Sequence, residues 1–238
     1  MKKKKIIAMI PARYGSQRLK LKNLALLNRK PLISYVINHA REANLFDQIV
    51  LNSDSLVFKE IADKYKIDFF YRNKKYANSK AKSDDVVQNF IENYDCDILV
   101  WLNPICPLQN SKEIQNVVKY FISNKLNSLI TTTNIQSHSI YKKKPINFKI
   151  KEKFQQTQNL KPIESMVYSI MMWKTHTFTK SMKLNGNAIM HGRVGYYPVS
   201  KRSAIMIKTL DDLVMAETLL KLDNIKNNFK LNYFKSNR

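Results

Sequence analysis

The sequence has little cysteine, few acidic residues and no long apolar run, and each shortage excludes a class of protein. Its 238 residues include two cysteines, Cys96 and Cys106, too few for a disulfide framework or a four-ligand zinc site. Both flank an apolar stretch of strand length, so they read as buried free thiols. No apolar run approaches the roughly 20 residues of a membrane span, which argues against a transmembrane protein and a membrane partner. The N-terminal MKKKKIIAMIPARYG resembles the start of a secretory signal. Its apolar stretch is brief, however, and is broken by Pro11 and Arg13, so it reads as the first strand of a cytoplasmic protein.

Eighteen acidic residues stand against 41 Lys and Arg, giving a formal net charge of +23 and a pI near 9.9. That balance first suggests nucleic acid. The basic residues, however, are 33 Lys and only 8 Arg, spread along the chain and accompanied by 24 Asn, whereas Arg is the side chain that reads phosphates and base edges bidentately. The pattern is a general bias towards Lys and Asn, and no nucleic-acid partner is expected. The charge would still favour a polyanionic ligand. With 44% hydrophobic and 11% aromatic residues the chain is not disordered. Its length suits one domain, expected over 1–223, with a flexible Lys- and Asn-rich tail at 224–238.

Strand-length apolar runs alternate with amphipathic helical stretches, which predicts an α/β fold with a mostly parallel sheet and helices on both faces. Ile6 to Ile10 reads as a buried strand. Pro31 opens a helix with apolar residues at Leu32, Ile33, Val36, Ile37 and Ala40. Strands are expected at Gln48 to Leu51, Asp68 to Tyr71, Ile98 to Leu102 and up to Thr133. Helices are expected around Leu56 to Tyr65, from Ser83 to Tyr94 with Ser83 as cap, and from Ser111 to Ser123. The rhythm breaks between residues 137 and 175, which reads as an inserted hairpin where a second subunit could dock. It returns with GYYPVS, AIMI and a last helix from Leu210, where Thr209 and Asp212 form a capping box.

In open α/β sheets ligands sit beyond the carboxyl ends of the strands. The loop there after the first strand, IPARYGSQRLKLKN, holds Gly15, the backbone donors of Tyr14 to Ser16, and the cations Arg13, Arg18, Lys20 and Lys22. Such a loop suits a triphosphate.

The order of these residues resembles the signature I-P-A-R-x-G-S-K-x-x-x-x-K-N of the acylneuraminate cytidylyltransferase family. Ile10, Pro11, Ala12, Arg13, Gly15, Ser16, Lys22 and Asn23 match, while Gln17 replaces a Lys. The sister CMP-Kdo synthetases share IPARY and the R-L that follows. LVWLNPICPLQ resembles the L-L-Q-P-T-S-P-L-R of the sialic acid branch. LNSDS, YRNKKYANSKAKSDD and AIMIKTLDDLVMAE resemble three further family motifs, so the likeness extends over nearly the whole chain. It implies a Rossmann-like nucleotidyltransferase that joins CMP from CTP to an acidic nine-carbon sugar, releases pyrophosphate, and forms a homodimer through the inserted segment. On this resemblance Arg13 and Lys22 would bind the triphosphate and stabilise the leaving pyrophosphate. Ala12, Gly15, Ser16, Asn23, Arg72, Ser83 and Asn103 would line the nucleotide site. Three of these also have plain structural readings: Asn23 as a turn residue, Ser83 as a helix cap, Arg72 as a surface cation.

The closing motif departs from the family. Its I-D-I-D carboxylates imply Mg²⁺, but Met206 and Lys208 stand at those positions, and neither a thioether nor an ammonium suits a hard cation. No metal ligand is therefore expected. Ile105, Cys106 and Gln109 replace Thr, Ser and Arg, and Ser79 replaces Asp. The alternative to an active enzyme is a weakened or inactive member that still binds nucleotide or sugar.

Overall fold

The computed structural model describes residues 3–16, 18–78, 80–226 and 233. Gln17 and Ser79 lie outside the described residues, as does the tail beyond Lys226 apart from Tyr233. The strands are β1 (Ile6–Ala12), β2 (Leu26–Leu27), β3 (Lys30–Pro31), β4 (Gln48–Ser53), β5 (Asp68–Tyr71), β6 (Ile98–Leu102), β7 (Ser128–Ile135), β8 (Ile140–Tyr141), β9 (Lys144–Pro145), β10 (Ile163–Lys174) and β11 (Val194–Pro198). The helices are α1 (Leu32–Ala43), α2 (Val57–Tyr65), α3 (Ser83–Asn93), α4 (Ser111–Ser123), α5 (Thr175–Asn185) and α6 (Leu210–Lys226).

Seven strands form one sheet in the order β11-β7-β10-β6-β1-β4-β5. All its pairings are parallel except those of β10, which runs antiparallel to both β6 and β7. The expected α/β class and mostly parallel sheet are what the chain adopts. β1 shows why its sequence is apolar throughout. Ala8, Ile10 and Ala12 face Ile33 and Ile37 of α1, Phe58 of α2 and Val117 of α4, while Ile7 and Met9 face Phe90 of α3 and Phe178 of α5. A strand covered by helices on both faces has no solvent side and so no polar alternation. A third, smaller core joins α6 to the β2–β3 hairpin through Leu27, Leu32, Ile207 and Ala216.

Several local expectations need correction. Pro31 is the residue before α1 and ends β3, instead of being the first helical residue. Ser83 is the first residue of α3 and Lys82 holds the cap position, with no side-chain cap bond. The AIMI run is not a strand: Ala204 N and Ile205 N make turn bonds to Ser200 O and Arg202 O, and Ile207 N donates to Ile105 O at 2.8 Å. The tail expected from residue 224 begins inside α6. The stretch 137–175 is only partly an insertion. It contains the β8–β9 hairpin and a single 3-10 turn at Thr157–Asn159, but its last third is β10, a central strand of the sheet. Propensity cannot separate a projecting hairpin from a strand that returns to the core, because partners distant in sequence decide it.

Met171, Met172 and Trp173 are accordingly core residues, and Met166 is exposed. Trp173 packs edge-on to Phe178 and Trp101 and donates from Nε1 to Ile189 O at 2.9 Å. Trp173→Ala should cost about 3–5 kcal/mol, read as a lowered urea midpoint. A variant as stable as the parent would contradict this placement.

Candidate functional site

β1, β4, β5 and β6 run parallel, so their carboxyl ends share one edge of the sheet. From β1 the chain moves outward through β4 to β5, then crosses to β6 on the other side of β1. That reversal opens a crevice beyond β1 and β6, the place where α/β sheets bind ligands. A cavity of about 190 Å³ lies there, lined by Arg13, Arg72, Tyr76, Ser83, Trp101 and Asn103 among others. It is below the roughly 300–1,000 Å³ of whole-ligand pockets, a size for one part of a nucleotide. A larger cavity of about 610 Å³, around Asp97, Thr175 and His176, sits at the opposite edge, where β6 begins.

Two residues that line the small cavity each carry a donor without a partner. Arg72 Nε and Trp101 Nε1 are buried and unpaired among the described residues, and an unmet buried donor costs about 1–3 kcal/mol. Both are therefore suited to donate to a ligand's oxygens. Arg72 is 4% exposed, which corrects the surface-cation reading. Burial lowers its pKa to about 10, Asp54 opposes that shift, and Arg13 adds to it. The guanidinium stays charged at neutral pH. Its backbone N–H donates to Ser53 O at 2.7 Å, which fixes it at the end of β5.

The loop after β1 is braced from its neighbours. Tyr14 N donates to Asp54 Oδ1 at 2.9 Å, and Arg13 Nη1 donates to Asn78 O at 3.1 Å. Asn78 Oδ1 in turn accepts from the backbone of Lys80 and Ala81, an Asx-type turn that stiffens the platform under Arg13. Ala12 is buried at the end of β1. Gly15 is exposed, and a Cβ added there would meet nothing within 4 Å, so open space lies in front of the loop. Ser16 is half-buried beside it.

Lys22 belongs to an adjoining cluster. Burial lowers its pKa; Arg18, Arg13 and Lys208 lower it further, and Cys106 opposes them. Arg13 acts on both Lys22 and Arg72, so cavity and cluster are continuous through it. Asn23 is buried with Oδ1 unpaired but does not line the cavity. Asn103 holds the loop after β6: its N–H donates to Ser169 O at 2.9 Å. Gln109 Nε2 donates to Ser169 Oγ at 3.1 Å, and Ser169 lies within an irregularity of β10 that Thr131 Oγ1 bridges. The Gln that replaces a family Arg thus serves the scaffold.

The sequence reading missed Trp101, Tyr76, Asn78 and Asp54. Trp101 alone carried a signal, as a large polar-tipped ring inside an otherwise aliphatic strand.

The donors present do not fit a divalent metal. Met206 and Lys208 occupy the expected positions, and no group of three or more His, Cys, Asp or Glu among the described residues could hold one. Asp212 Oδ2 is taken by Lys208 N, Thr209 N and Thr209 Oγ1, at 2.8, 2.8 and 3.0 Å. Burial holds the Cys106 thiol near pKa 12, so it stays protonated.

The cytidylyltransferase family model matches residues 7–236. The chain belongs to the cytidylyltransferase family. The chain is 36% identical over 118 residues to the N-acylneuraminate cytidylyltransferase of Escherichia coli O18:K1:H7, covering 49% of this chain and 28% of that protein. It is 36% identical over 138 residues to the pseudaminic acid cytidylyltransferase of Campylobacter jejuni, covering 56% of this chain and 60% of the other. The chain thus spans under two thirds of either relative. The structure of CMP:2-keto-3-deoxy-manno-octonic acid synthetase complexed with CTP superposes with a TM-score of 0.70 at 14% identity, covering 92% of this chain and 99% of that one. At that identity the likeness shows the fold.

Two outcomes follow from the geometry. The chain has two tryptophans and only Trp101 lines the cavity, so a ligand seated in it should change the intrinsic fluorescence, and Trp101→Phe should abolish the change while Trp173 still emits. Asp212 has a lowered pKa: burial pushes it up, and the hydrogen bonds from Lys208 and Thr209 outweigh that. A depressed carboxyl pKa stabilises the fold above the ordinary value of 3.8 and loses that contribution as pH falls through the folded value. Asp212→Asn should therefore flatten this part of the acid limb of a urea-midpoint profile.

Proposed function

We propose that this cytidylyltransferase transfers CMP from CTP to a nonulosonic acid, of the sialic or pseudaminic type, and releases pyrophosphate. The observation that carries the reading is the juxtaposition at the carboxyl edge of unpaired Arg72 Nε and Trp101 Nε1 with the cationic loop of Arg13 and Lys22. A sugar hydroxyl oxygen would bond to the α-phosphorus as the α-phosphorus–oxygen bond to the β-phosphate breaks, with the hydroxyl proton passing to solvent. Arg13 and Lys22 would neutralise the charge that collects on the departing pyrophosphate. Ala12, Gly15 and Ser16 would bring loop backbone to the phosphates. Arg72, Ser83 and Asn103 would hold the enclosed part of the nucleotide, with Asn23 supporting the loop from behind.

The relatives' printed names support the sugar class. Among the described residues no helix is long and apolar enough to cross a membrane. The two free thiols suit a reducing compartment, and the cytoplasm is the proposed location. Exposed Ile140, Tyr141, Ile146, Ile150 and Phe154 on the inserted segment support a homodimer formed there. One observation favours a second reading, a weakened member that binds without turnover: Met206 and Lys208 stand where metal-binding carboxylates are expected.

A coupled pyrophosphate assay with CTP and a panel of sialic and pseudaminic acids tests the proposal. Turnover is expected, and Arg13→Ala or Lys22→Ala should lower kcat about 10²–10³-fold, the scale for one charge-stabilising donor. Silence across the panel despite CTP binding would favour the second reading.

A further inference from the structure

The cluster around Lys22 gathers four cations with little counter-charge: Asp212 acts on Lys208 but forms no ion pair with it. Leu19, between Arg18 and Lys22, packs in the same small core as Ile207, the residue before Lys208, and the loops that follow β1 and β6 leave the sheet side by side, so Arg13, Arg18 and Lys208 come near Lys22 and depress its pKa. None of the four appears in an ion pair among the described residues. Three carboxylates in this region accept hydrogen bonds from backbone N–H groups. Asp54 Oδ1 accepts from Tyr14 N, Asp212 Oδ2 from the backbone of Lys208 and Thr209, and Glu113 Oε1 from Ser200 N at 2.8 Å. The position of Lys208 is fixed by the fold: Ile207 N bonds Ile105 O in the loop after β6, and Asp212 holds the Lys208 backbone at the start of α6. Its side chain is half-exposed, and both it and Lys22 act electrostatically on buried Cys106. Like charges held together without anions destabilise one another, and a polyanion relieves them.

We infer that Lys208 completes a four-cation cradle with Arg13, Arg18 and Lys22 that binds the nucleotide triphosphate as the free anion, without a divalent metal. The inference rests on the reading of this edge as a nucleotide site. Free CTP carries two more negative charges than its complex with one Mg²⁺, so a cradle of fixed cations prefers the uncomplexed form. Added Mg²⁺ competes with the protein for the phosphates and does not bridge the two. Lys208 acts here as a binding residue for the phosphates, in the space where a metal would otherwise have to sit, and its ammonium supplies charge but no coordination geometry.

Calorimetry on the full chain with CTP and with sodium tripolyphosphate, each in EDTA and in excess Mg²⁺, tests this. The expected result is binding in EDTA that weakens when Mg²⁺ is added. Lys208→Met should weaken binding in EDTA about tenfold, the loss of one charge-assisted contact, and Lys208→Arg should retain it. Lys208→Asp should abolish binding in EDTA. Cooperative unfolding at the parental midpoint shows that each variant is folded, and Lys208→Gln replaces the Met variant if that one is not. Binding that requires Mg²⁺ in the parent, or a Lys208→Met protein that binds as well as the parent, would overturn the cradle and leave the cytidylyltransferase reading intact. Tripolyphosphate binding with the expected Lys208 dependence, alongside no binding of CTP, would support the cradle and remove the cytidylyl reading.

Discussion

β1 is buried on both faces and hydrogen-bonded along both edges, to β6 on one side and β4 on the other. Almost everything at the candidate site depends on that constraint. A strand so enclosed cannot shift in register without moving Ile7 and Met9 from one helical layer to the other, a change that would reverse every contact along it. The loop that leaves its carboxyl end is therefore launched from a fixed point, and Arg13 leaves the sheet beside the ends of β5 and β6. The reversal of strand order at β1 keeps any helix or strand from covering this point. The crevice is a consequence of chain direction, and the cationic loop lies along it.

The neighbouring loops are held by polar contacts reached through the sheet. β10 is the only antiparallel strand of the central sheet, and its register shifts between Met166 and Met171. Within that irregularity Ser169 presents its carbonyl to Asn103 and its hydroxyl to Gln109 and Thr131. The loop after β6 is thereby fixed from the side of the sheet opposite β1. α3 is tied down in a similar way, because Asp84 Oδ1 accepts from Ala188 N and Ile189 N at 2.7 and 3.0 Å. This leaves the amino end of α3, with Ser83, against the cavity. The site is assembled from loops, but each loop is bonded to the rigid layer beneath it.

Charge is organised on two scales. Most of the +23 is spread over the surface as lysine and points to no particular partner. A few cations behave differently. Arg72 is buried with one donor unmet, and Lys22 is partly buried among three other cations. Burial removes the water that would otherwise screen such charges, so each interaction there is stronger than its surface equivalent. On the proposed reading the same few positions would favour phosphate over a hard metal ion.

The order of the main strands and helices from β1 to β7, the burial of β1, the capping box of Thr209 with Asp212 and the family motifs were legible in the amino-acid sequence, because each rests on periodicity or on neighbours a few residues apart. The roles of Ser83, Arg72 and β10 were not. Ser83 has the composition of a cap, yet the chain places Lys82 at that position. Arg72 has the composition of a surface residue, yet the loop after β5 folds it inward. Ile163–Lys174 has the look of an insertion, yet it fills the gap between β6 and β7. Local patterning thus determined which elements form and which cations follow β1. Only the tertiary structure decided which of those cations lie together without ion pairs and which polar atoms are buried unpaired, because both depend on residues far apart in sequence being enclosed by one sheet.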